Sequence, residues 1–276
     1  PPLSHDERLD VIRVWSAVGR AQEAVDRAER PFRAPHHSSS AAALAGGSGS
    51  PGRLPLPGEI TLAHRGVLFL DELPEFSRTA LEVLRQPIED GSITISRAGQ
   101  KCTYPCSIMV VAAMNPCPCG YYGDPTRKCT CSEQKIKRYL NRISGPLLDR
   151  FDIHVEVPAV KFEELRDTSS AECSADIKKR ADRAREIQRE RFKGSKTTCN
   201  AKINAEQFEK VCVIDKEAEK TLKDAFESLG LTARAYDRVL KVARTIADLD
   251  ESEIIRSEHV LEAVQYRSLD RKYWAK

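Results

Sequence analysis

A run of four apolar residues that ends in two acids is the feature that most constrains the fold of this chain. Residues 67–70 read VLFL, and Asp71 and Glu72 follow them directly. A continuous apolar strand is typical of a parallel sheet that is covered on both faces. Because open α/β sheets bind ligands beyond the carboxyl ends of their strands, the two acids are expected at a ligand site. An ordinary buried strand that ends in two acids by chance is the alternative interpretation.

Neighbouring segments extend this pattern into an α/β sheet. Helical spacing predicts a helix over residues 77–90, and SIMVVAAMNP (107–116) predicts a second buried strand. Between them, residues 92–105 predict a β-hairpin that turns at Ala98-Gly99. The alternation of strands and helices predicts an α/β fold with a parallel sheet.

The N-terminal part begins with a helix and continues with an irregular segment. Helical spacing covers residues 3–30, with a capping box at Ser4 and Glu7 and a break near Gly19. Residues 31–58 are rich in Pro, Gly and Ser and contain one short apolar block, AAALA. They form either a linker or a functional loop that follows a short helix.

The C-terminal part changes from mixed to helical character. LLDRFDIHVEV (147–157) predicts a third short strand, which Pro158 ends. Beyond it, strand signals stop, and helices are predicted over residues 172–193, 204–228, 232–248 and 257–267. We therefore expect two domains, an α/β core over residues 1–160 and a small all-α lid domain over residues 161–276.

Composition narrows the class of protein. No apolar run in the 276 residues approaches the ~20 residues of a membrane span, and the first residues lack the pattern of a secretory signal. A soluble, cytoplasmic protein without a membrane partner is the expectation. The net charge of +3 is too even to indicate nucleic acid binding, which only a local cluster of charge would indicate.

Four of the nine cysteines lie close together in the segment CPCGYYGDPTRKCTC. They are Cys117, Cys119, Cys129 and Cys131. An odd cysteine count without an export signal disfavours a disulfide framework, and paired spacing favours metal binding. An all-thiolate set fits a structural zinc, although C-x-C is tighter than the usual spacing. Free thiols, or a disulfide that forms on oxidation, are the alternatives.

Three polar side chains at strand ends form a candidate nucleotide site. Asp71 can hold the magnesium ion of a nucleotide, and Glu72 can orient and deprotonate the attacking water. Asn115 ends the next predicted strand, where an amide can contact the γ-phosphate or position the water. An asparagine that only opens a turn before Pro116 is the alternative.

Arginines in two further motifs are candidates for contacting the same nucleotide. Arg150 lies in the motif LLDRFD, and in ring ATPases an arginine at such a position reaches the nucleotide of the neighbouring subunit, where it stabilises transition-state charge. A surface ion pair is the alternative. Thr232 can cap a helix that starts with Arg234, so Arg234 can face the cleft between the domains, as the sensor 2 arginine of AAA+ ATPases does. Arg238 is the rival candidate one turn later.

The lysine-bearing phosphate loop G-x-x-x-x-G-K-[ST] has no good match in these residues. The nearest candidate runs from Gly47 to Gly52, but Arg53 and Leu54 follow it. The prolines around it also oppose the helix that must begin there. Without that lysine we expect the chain to bind nucleotide weakly and to be inactive by itself.

The chain resembles the magnesium-chelatase-like AAA+ ATPases of the ComM/YifB type over nearly its whole length. The resemblance is carried by long strings: RPFRAPHH, LPLPGEITLAHRGVLFLDELPEF, EDGSITISRAG, VVAAMNPCPCG, SGPLLDRFD and LTARAYDRVLKVARTIADL. It implies an AAA+ parallel sheet whose first strand and P-loop precede residue 1, together with a Lon-like N-terminal domain. It also implies ATP and Mg²⁺ as cofactors and a ring, expected to be a hexamer, with nucleotide between subunits.

The same resemblance implies a motor that acts on DNA, with branch migration during natural transformation. It places residues 31–58 and the 92–105 hairpin where related motors project toward DNA, so Arg97 and Lys101 are candidate phosphate contacts. A solvated hairpin tip is the alternative for both residues. His36-His37 has no assigned role, and the basic run 178–193 is interpreted as a solvated helix face because acids interrupt it.

Two other functions remain open from the sequence. One is a chelatase-type motor that remodels a protein partner. The other is a DNA-binding or assembly module that a structural zinc ion stabilises and that has no ATPase activity.

Overall fold

The apolar run at residues 67–70 forms the central strand of a three-stranded parallel sheet. In the computed structural model, which describes residues 1–47, 54–97, 100–158 and 172–267, strand β2 (Val67–Leu70) lies between β1 (Phe32–Arg33) and β5 (Met109–Ala112). Both pairings are parallel, and Leu70 is paired with Ala112. The expected α/β architecture with a parallel sheet is confirmed.

Only one face of this sheet is fully covered. Leu68 and Leu70 are completely buried, whereas Phe32 and Met109 are 62% and 63% exposed and Val111 is 40% exposed. Since side chains alternate across a strand, the exposed residues share the opposite face. The predictions of a strand covered on both faces and of a buried second strand are therefore wrong for this side of the sheet.

Two further strand predictions need correction. β1 lies inside the proline-rich segment 31–58, which had been interpreted as a linker or loop. The third strand, expected within 147–157, is not formed: helix α8 (Gly145–Leu148) occupies the start of that segment, and residues 153–158 have no regular structure. The alternating pattern of IHVEV finds no partner strand within the described ranges, so its apolar side chains Val155 and Val157 stay exposed.

The N-terminal helices follow the sequence signals. α1 (His5–Ser16) begins with the predicted capping box, and α2 (Ala21–Arg27) follows a break at Gly19, whose φ of +76° favours glycine. The short helices α3 (Ala41–Ala45) and α4 (Glu59–Leu62) flank the irregular part of segment 31–58. The indole Nε1 of Trp15 donates to the backbone oxygen of Leu62 over 3.1 Å, which ties α1 to α4.

The segment between β2 and β5 contains two helices and a hairpin. The single helix predicted over 77–90 is divided into α5 (Arg78–Val83) and α6 (Arg85–Asp90). The predicted hairpin is confirmed as β3 (Ser92–Arg97) and β4 (Gln100–Pro105), which pair antiparallel from Ser92 with Pro105 to Arg97 with Gln100. Its turn residues, 98 and 99, lie outside the described residues. Helix α7 (Glu133–Leu140) then follows the cysteine-rich loop.

The chain divides into two compact units, one over Pro2–Phe151 and one that begins at Asp152. The boundary expected between residues 160 and 161 falls in a stretch, 159–171, outside the described residues. The second unit is all-α in the part that the structure describes. Its helices are α9 (Ser174–Arg191), α10 (Ala205–Val211), α11 (Lys216–Leu229), α12 (Ala233–Leu249) and α13 (Ser257–Gln265).

The helical tail is confirmed, except that the helix predicted over 204–228 is split between α10 and α11. Among the described helices, none combines the length and the apolar composition that crossing a membrane requires.

A buried carboxylate lies at the centre of the helical unit. Asp248 is 1% exposed and accepts hydrogen bonds from Arg191, from Arg244 and from the side-chain amide of Asn200. Arg244, itself 1% exposed, also donates to the backbone oxygens of Ser252 and Glu253. Burial lowers the pKa of Arg244, and the charge of Asp248 opposes that shift.

Removal of this carboxylate should destabilise the helical unit strongly. Asp248→Ala leaves two arginines and an amide without their shared acceptor, and a broken buried pair costs about 3–5 kcal/mol. Urea unfolding followed by circular dichroism would measure the change in the free energy of unfolding. Asp224→Ala, at an exposed position on α11, is the matched control and should change stability by less than about 0.5 kcal/mol. Equal stability of the two variants would contradict the prediction.

Candidate functional site

The carboxyl end of β2 presents two exposed acids. A carboxylate oxygen of Asp71 accepts the backbone N–H of Glu72 over 2.9 Å. Glu72 has a left-handed backbone with φ +52° and ψ +46°, a conformation that is uncommon for a residue other than glycine. Strained backbone of this kind is concentrated at functional sites. The turn therefore holds Glu72 in a specific orientation at the edge of the sheet.

Asn115 lies at the same edge of the sheet. β5 runs parallel to β2, and pairing continues beyond both strands, because Ala113 N–H donates to Leu70 and Leu73 N–H donates to Ala113. Asn115 is exposed, two residues after the last of these bonds. Asp71, Glu72 and Asn115 thus follow adjacent strands at one carboxyl edge, as their positions in the sequence predicted.

A histidine that follows β1 lies at the same edge and forms a row with Asp71, Glu72 and Asn115. Nδ1 of His37 lies 2.8 Å from a carboxylate oxygen of Glu72. The ring of His37 packs on that of His36 with centroids 4.1 Å apart, and Nδ1 of His36 lies 2.9 Å from the Ser38 hydroxyl. Sequence reasoning singled out the two histidines without a role, because β1, which carries them to the edge, was not predicted.

Arg142, just beyond α7, supports the turn after Glu72, and the charges of the same region act on Tyr139 of α7. Arg142 donates to the backbone oxygen of Pro74 and to the carboxylate of Glu75, both over 2.9 Å. Burial, together with the negative charges of Glu75, Cys117 and Glu72, raises the pKa of Tyr139 to about 12. Both residues are more than sixty positions beyond Glu72 in the chain, so no sequence signal connects them to it.

Arg150 is held inside the α/β unit. Its guanidinium contacts Glu89 of α6 and the backbone oxygen of Pro146, and its side chain is 13% exposed. The structure therefore places Arg150, the candidate contact to a neighbouring subunit's nucleotide, in an ion pair within its own chain.

The two candidate arginines of the tail lie on the first turns of α12. Thr232 caps this helix as predicted, with its hydroxyl accepting the Ala235 N–H over 3.2 Å. Arg234 is exposed at the helix start. Arg238 donates to Asp152 over 2.7 Å, within the same unit. Arg234 is thus the more accessible of the two guanidiniums.

The four cysteines of the loop after Asn115 converge on one point. The sulfurs of Cys117, Cys119 and Cys129 lie 3.4–3.7 Å apart, and all four sulfurs lie within 4.8 Å of one another. A disulfide requires about 2.05 Å between sulfurs. Four thiolates at about 2.3 Å from a tetrahedral zinc have edges of roughly 3.8 Å. The cluster can therefore hold a metal ion, and the separations match the tetrahedral set better than a disulfide.

The thiols of the cluster have different proton affinities. Backbone N–H groups of Tyr121 and Thr130 lower the pKa of Cys119 to about 5. At Cys129 the N–H of Cys131 favours the thiolate, but burial and the neighbouring sulfurs raise the pKa to about 12. Burial also raises the pKa of Cys131. A cation at the centre would favour all four thiolates together.

The hairpin packs on the segment that contains α3. Ile95 is buried against Gly46, where a Cβ would lie 2.9 Å from its side chain, and the Tyr104 hydroxyl donates to the Pro55 oxygen over 2.6 Å. Lys101 is exposed next to the hairpin tip. The side chain of Arg97 lies outside the described residues. The two segments that the sequence singled out, 31–58 and the hairpin, therefore pack against each other.

Family models and known proteins match this chain over most of its length. The family model "Magnesium chelatase, subunit ChlI" matches residues 1–165, and "Magnesium chelatase, subunit ChlI C-terminal" matches residues 171–267. The chain is 46% identical over 272 residues to "Uncharacterized protein YifB" of Salmonella typhimurium and 45% identical to "Competence protein ComM" of Haemophilus influenzae. A distant relative is "Maternal DNA replication licensing factor mcm6" of Xenopus tropicalis, at 23% identity over 76% of this chain and 25% of the relative.

The alignments with YifB and ComM cover 98% of this chain and 52% of each relative, so the chain spans about half the length of those relatives. A family model that matches residues 1–165, and two relatives above 40% identity, agree with the α/β fold and its parallel sheet. The chain belongs to the magnesium chelatase subunit ChlI family.

Proposed function

We propose that this chain is the Mg-ATP-hydrolysing module of a ring-forming AAA+ motor that acts on DNA. The observation that carries the proposal is the row of Asp71, Glu72, Asn115 and His37 at one carboxyl edge of the parallel sheet. Family membership supports ATP and Mg²⁺ as ligands. The names of the relatives ComM and mcm6, which refer to competence and to DNA replication, support DNA as the partner.

Each residue has a distinct part in the proposed hydrolysis. Asp71 is an exposed oxygen donor of the kind that Mg²⁺ prefers, and the bound ion would neutralise phosphate charge. Glu72 accepts a proton from the attacking water, and Asn115 donates a hydrogen bond to the γ-phosphate or to that water. These 276 residues contain no good match to the P-loop motif, so the proposed hydrolysis also requires a phosphate-binding lysine that this motif would supply.

The arginines require a rearrangement or a neighbouring subunit. We assign Arg150 as the group that reaches the nucleotide of an adjacent subunit in a hexamer, after it releases Glu89. Arg234 is assigned to the nucleotide of its own subunit, with Arg238 as the alternative. Lys101 and Arg97 of the hairpin are assigned to DNA phosphates.

His37 gains a positioning role in this scheme. A histidine 2.8 Å from Glu72 can hold the carboxylate in one orientation, and the stacked ring of His36 restrains His37 in turn. The general base is then oriented by a residue from a different strand.

The second proposal is that the four cysteines bind one structural zinc ion. Among the residues that the structure describes, no histidine or carboxylate joins this ligand set, so a closed tetrahedral site is expected. Bound zinc would fix the loop that begins two residues after Asn115. This arrangement favours a stabilising role and not a catalytic one.

Glu72→Gln should stop ATP turnover but preserve nucleotide binding. The amide keeps the shape of the carboxylate and cannot take a proton, and a lost general base costs about 10²–10⁴ in rate. Phosphate release and calorimetric ATP binding would be measured in a protein that combines this chain with a P-loop segment. Glu219→Gln, at an exposed position on α11, is the control and should retain full turnover. Turnover that survives Glu72→Gln would refute the assignment.

His37→Ala should lower kcat by about 10- to 100-fold, because the orientation of Glu72 is lost. The double variant with Glu72→Gln should be no slower than Glu72→Gln alone, since His37 acts through that carboxylate. His5→Ala, at the exposed first position of α1, is the matched control. Additive losses in the double variant would show that His37 does not act through Glu72.

Protein purified under reducing conditions should contain about one zinc per chain. Cys117→Ser and Cys129→Ser should each reduce the zinc content well below one equivalent, whereas Cys173→Ser, at an exposed position, should not. Zinc affinity should fall with decreasing pH, because protons compete for thiols such as Cys129, whose pKa is about 12 without metal. Mass spectrometry of the intact protein and a zinc-sensitive dye measure both effects. A stoichiometry near zero in the unmodified protein would exclude the site.

A further inference from the structure

We propose that a basic groove between α5 and α7 binds the phosphodiester backbone of nucleic acid without regard to base sequence. A cavity of about 590 Å³ forms the groove, and it is lined by Arg78, Gln134, Lys137, Arg138, Asn141 and Arg142. The inference rests on the proposed action on DNA, but it does not depend on ATP hydrolysis. It concerns a surface other than the hairpin to which Lys101 belongs.

The helical spacing of α7 places its groove-lining residues on one face of the helix. Gln134, Lys137, Arg138 and Asn141 follow the spacing of one helix face and are exposed. Ile136, Tyr139 and Leu140 are buried on the opposite face. Seven residues of helix extend about 10 Å, which equals the rise of roughly three nucleotides of one strand at about 3.4 Å each. The stripe can therefore contact consecutive phosphates.

The chemistry of the lining suits phosphate oxygens. Guanidinium, ammonium and amide groups all donate hydrogen bonds, and arginine can bind a phosphate through two of them. Among the residues that the structure describes, none of those that line the groove is acidic. None of these lining residues is aromatic either, so they offer no stacking on bases. The groove therefore offers contacts to the backbone, which position a nucleic acid without specifying its sequence.

Ion pairing separates this groove from the other basic stretch of the chain. On α9 the cations have acidic partners: Lys178 pairs with Asp182, Lys179 with Asp176, and Arg180 with Glu172.

In the groove, Arg142 pairs with Glu75. The charge of Arg78 lowers the pKa of the nearby Glu82 carboxyl, but within the described ranges no carboxylate lies within ion-pair distance of Arg78, Lys137 or Arg138. Their charge is thus available to a ligand, although the whole chain carries a net charge of only +3.

The test is DNA binding by the 276-residue chain, measured by the fluorescence anisotropy of a labelled 20-nucleotide single strand and of a duplex across a range of salt concentrations. The variant combines Arg78→Gln, Lys137→Gln and Arg138→Gln, and it leaves Arg142 in place because that residue supports the turn after Glu72. We expect affinity at low salt to fall on the order of 10- to 100-fold. The slope of log K against log salt should decrease by roughly 2 to 3, equally for different base sequences.

The matched control removes three paired charges through Lys178→Gln, Lys179→Gln and Arg180→Gln, and its affinity should stay within about twofold of the original. Circular dichroism and the urea midpoint report whether each variant folds. If the triple groove variant does not fold, each single variant should lower the slope by about 1.

The proposal is overturned if the groove variants keep the original affinity and slope, if the control loses as much, or if the unmodified chain binds no DNA at low salt. Inorganic pyrophosphate is the second probe, and it distinguishes a backbone site from a site for isolated phosphate groups. Loss of pyrophosphate binding with unchanged DNA affinity would also overturn the proposal. Failure of the hydrolytic assignment would instead appear as turnover in Glu72→Gln, so the two failures are separable.

Discussion

The parallel pairing of β2 with β5 is the constraint on which the site depends. Leu70 is paired with Ala112, and backbone hydrogen bonds continue one residue further on β5 and into the turn after Glu72. This register places Asp71, Glu72 and Asn115 at one edge of the sheet. A shift of the register by one residue would turn the side chains of one strand to the other face and separate these groups.

Elements that are distant in sequence hold the edge in place. His37 contacts Glu72 from the end of β1, and Arg142 holds the following turn from the end of α7. The four-cysteine cluster begins two residues after Asn115 and gathers its loop around one point. The left-handed backbone of Glu72 is an energetic cost that such surrounding contacts offset. A rigid, preorganised edge is what hydrolysis of a nucleotide requires from a protein.

Whether a charged side chain of this protein is available to a ligand depends on its local ion pairs more than on the net charge of the chain. The buried Asp248 has two arginines and an amide around it, and the cations of α9 have acids one turn away or nearby. The groove beside α7 differs, because helices from two parts of the chain bring their cations together there. An almost even balance of charge over the whole sequence therefore coexists with a strongly basic surface.

The sequence by itself determined features that depend on local physics. Caps at Ser4 and Thr232, the apolar run at 67–70 and the helical tail are encoded by neighbouring residues, so pattern alone predicts them. The common position of Asp71, Glu72 and Asn115 could likewise be predicted, because parallel strands end at a common edge of the sheet.

Only the tertiary structure decided the rest. A strand of two residues such as β1 has no periodic pattern and exists because β2 pairs with it, which also explains why the contact of His37 was not foreseen. Conversely, IHVEV has a strand pattern and no partner within the described residues, so it forms no strand. The convergence of four sulfurs, the ion pair of Arg150 with Glu89 and the basic groove each join residues whose approach depends on packing. Contacts of this kind depend on the path of the whole chain, which local propensity does not contain.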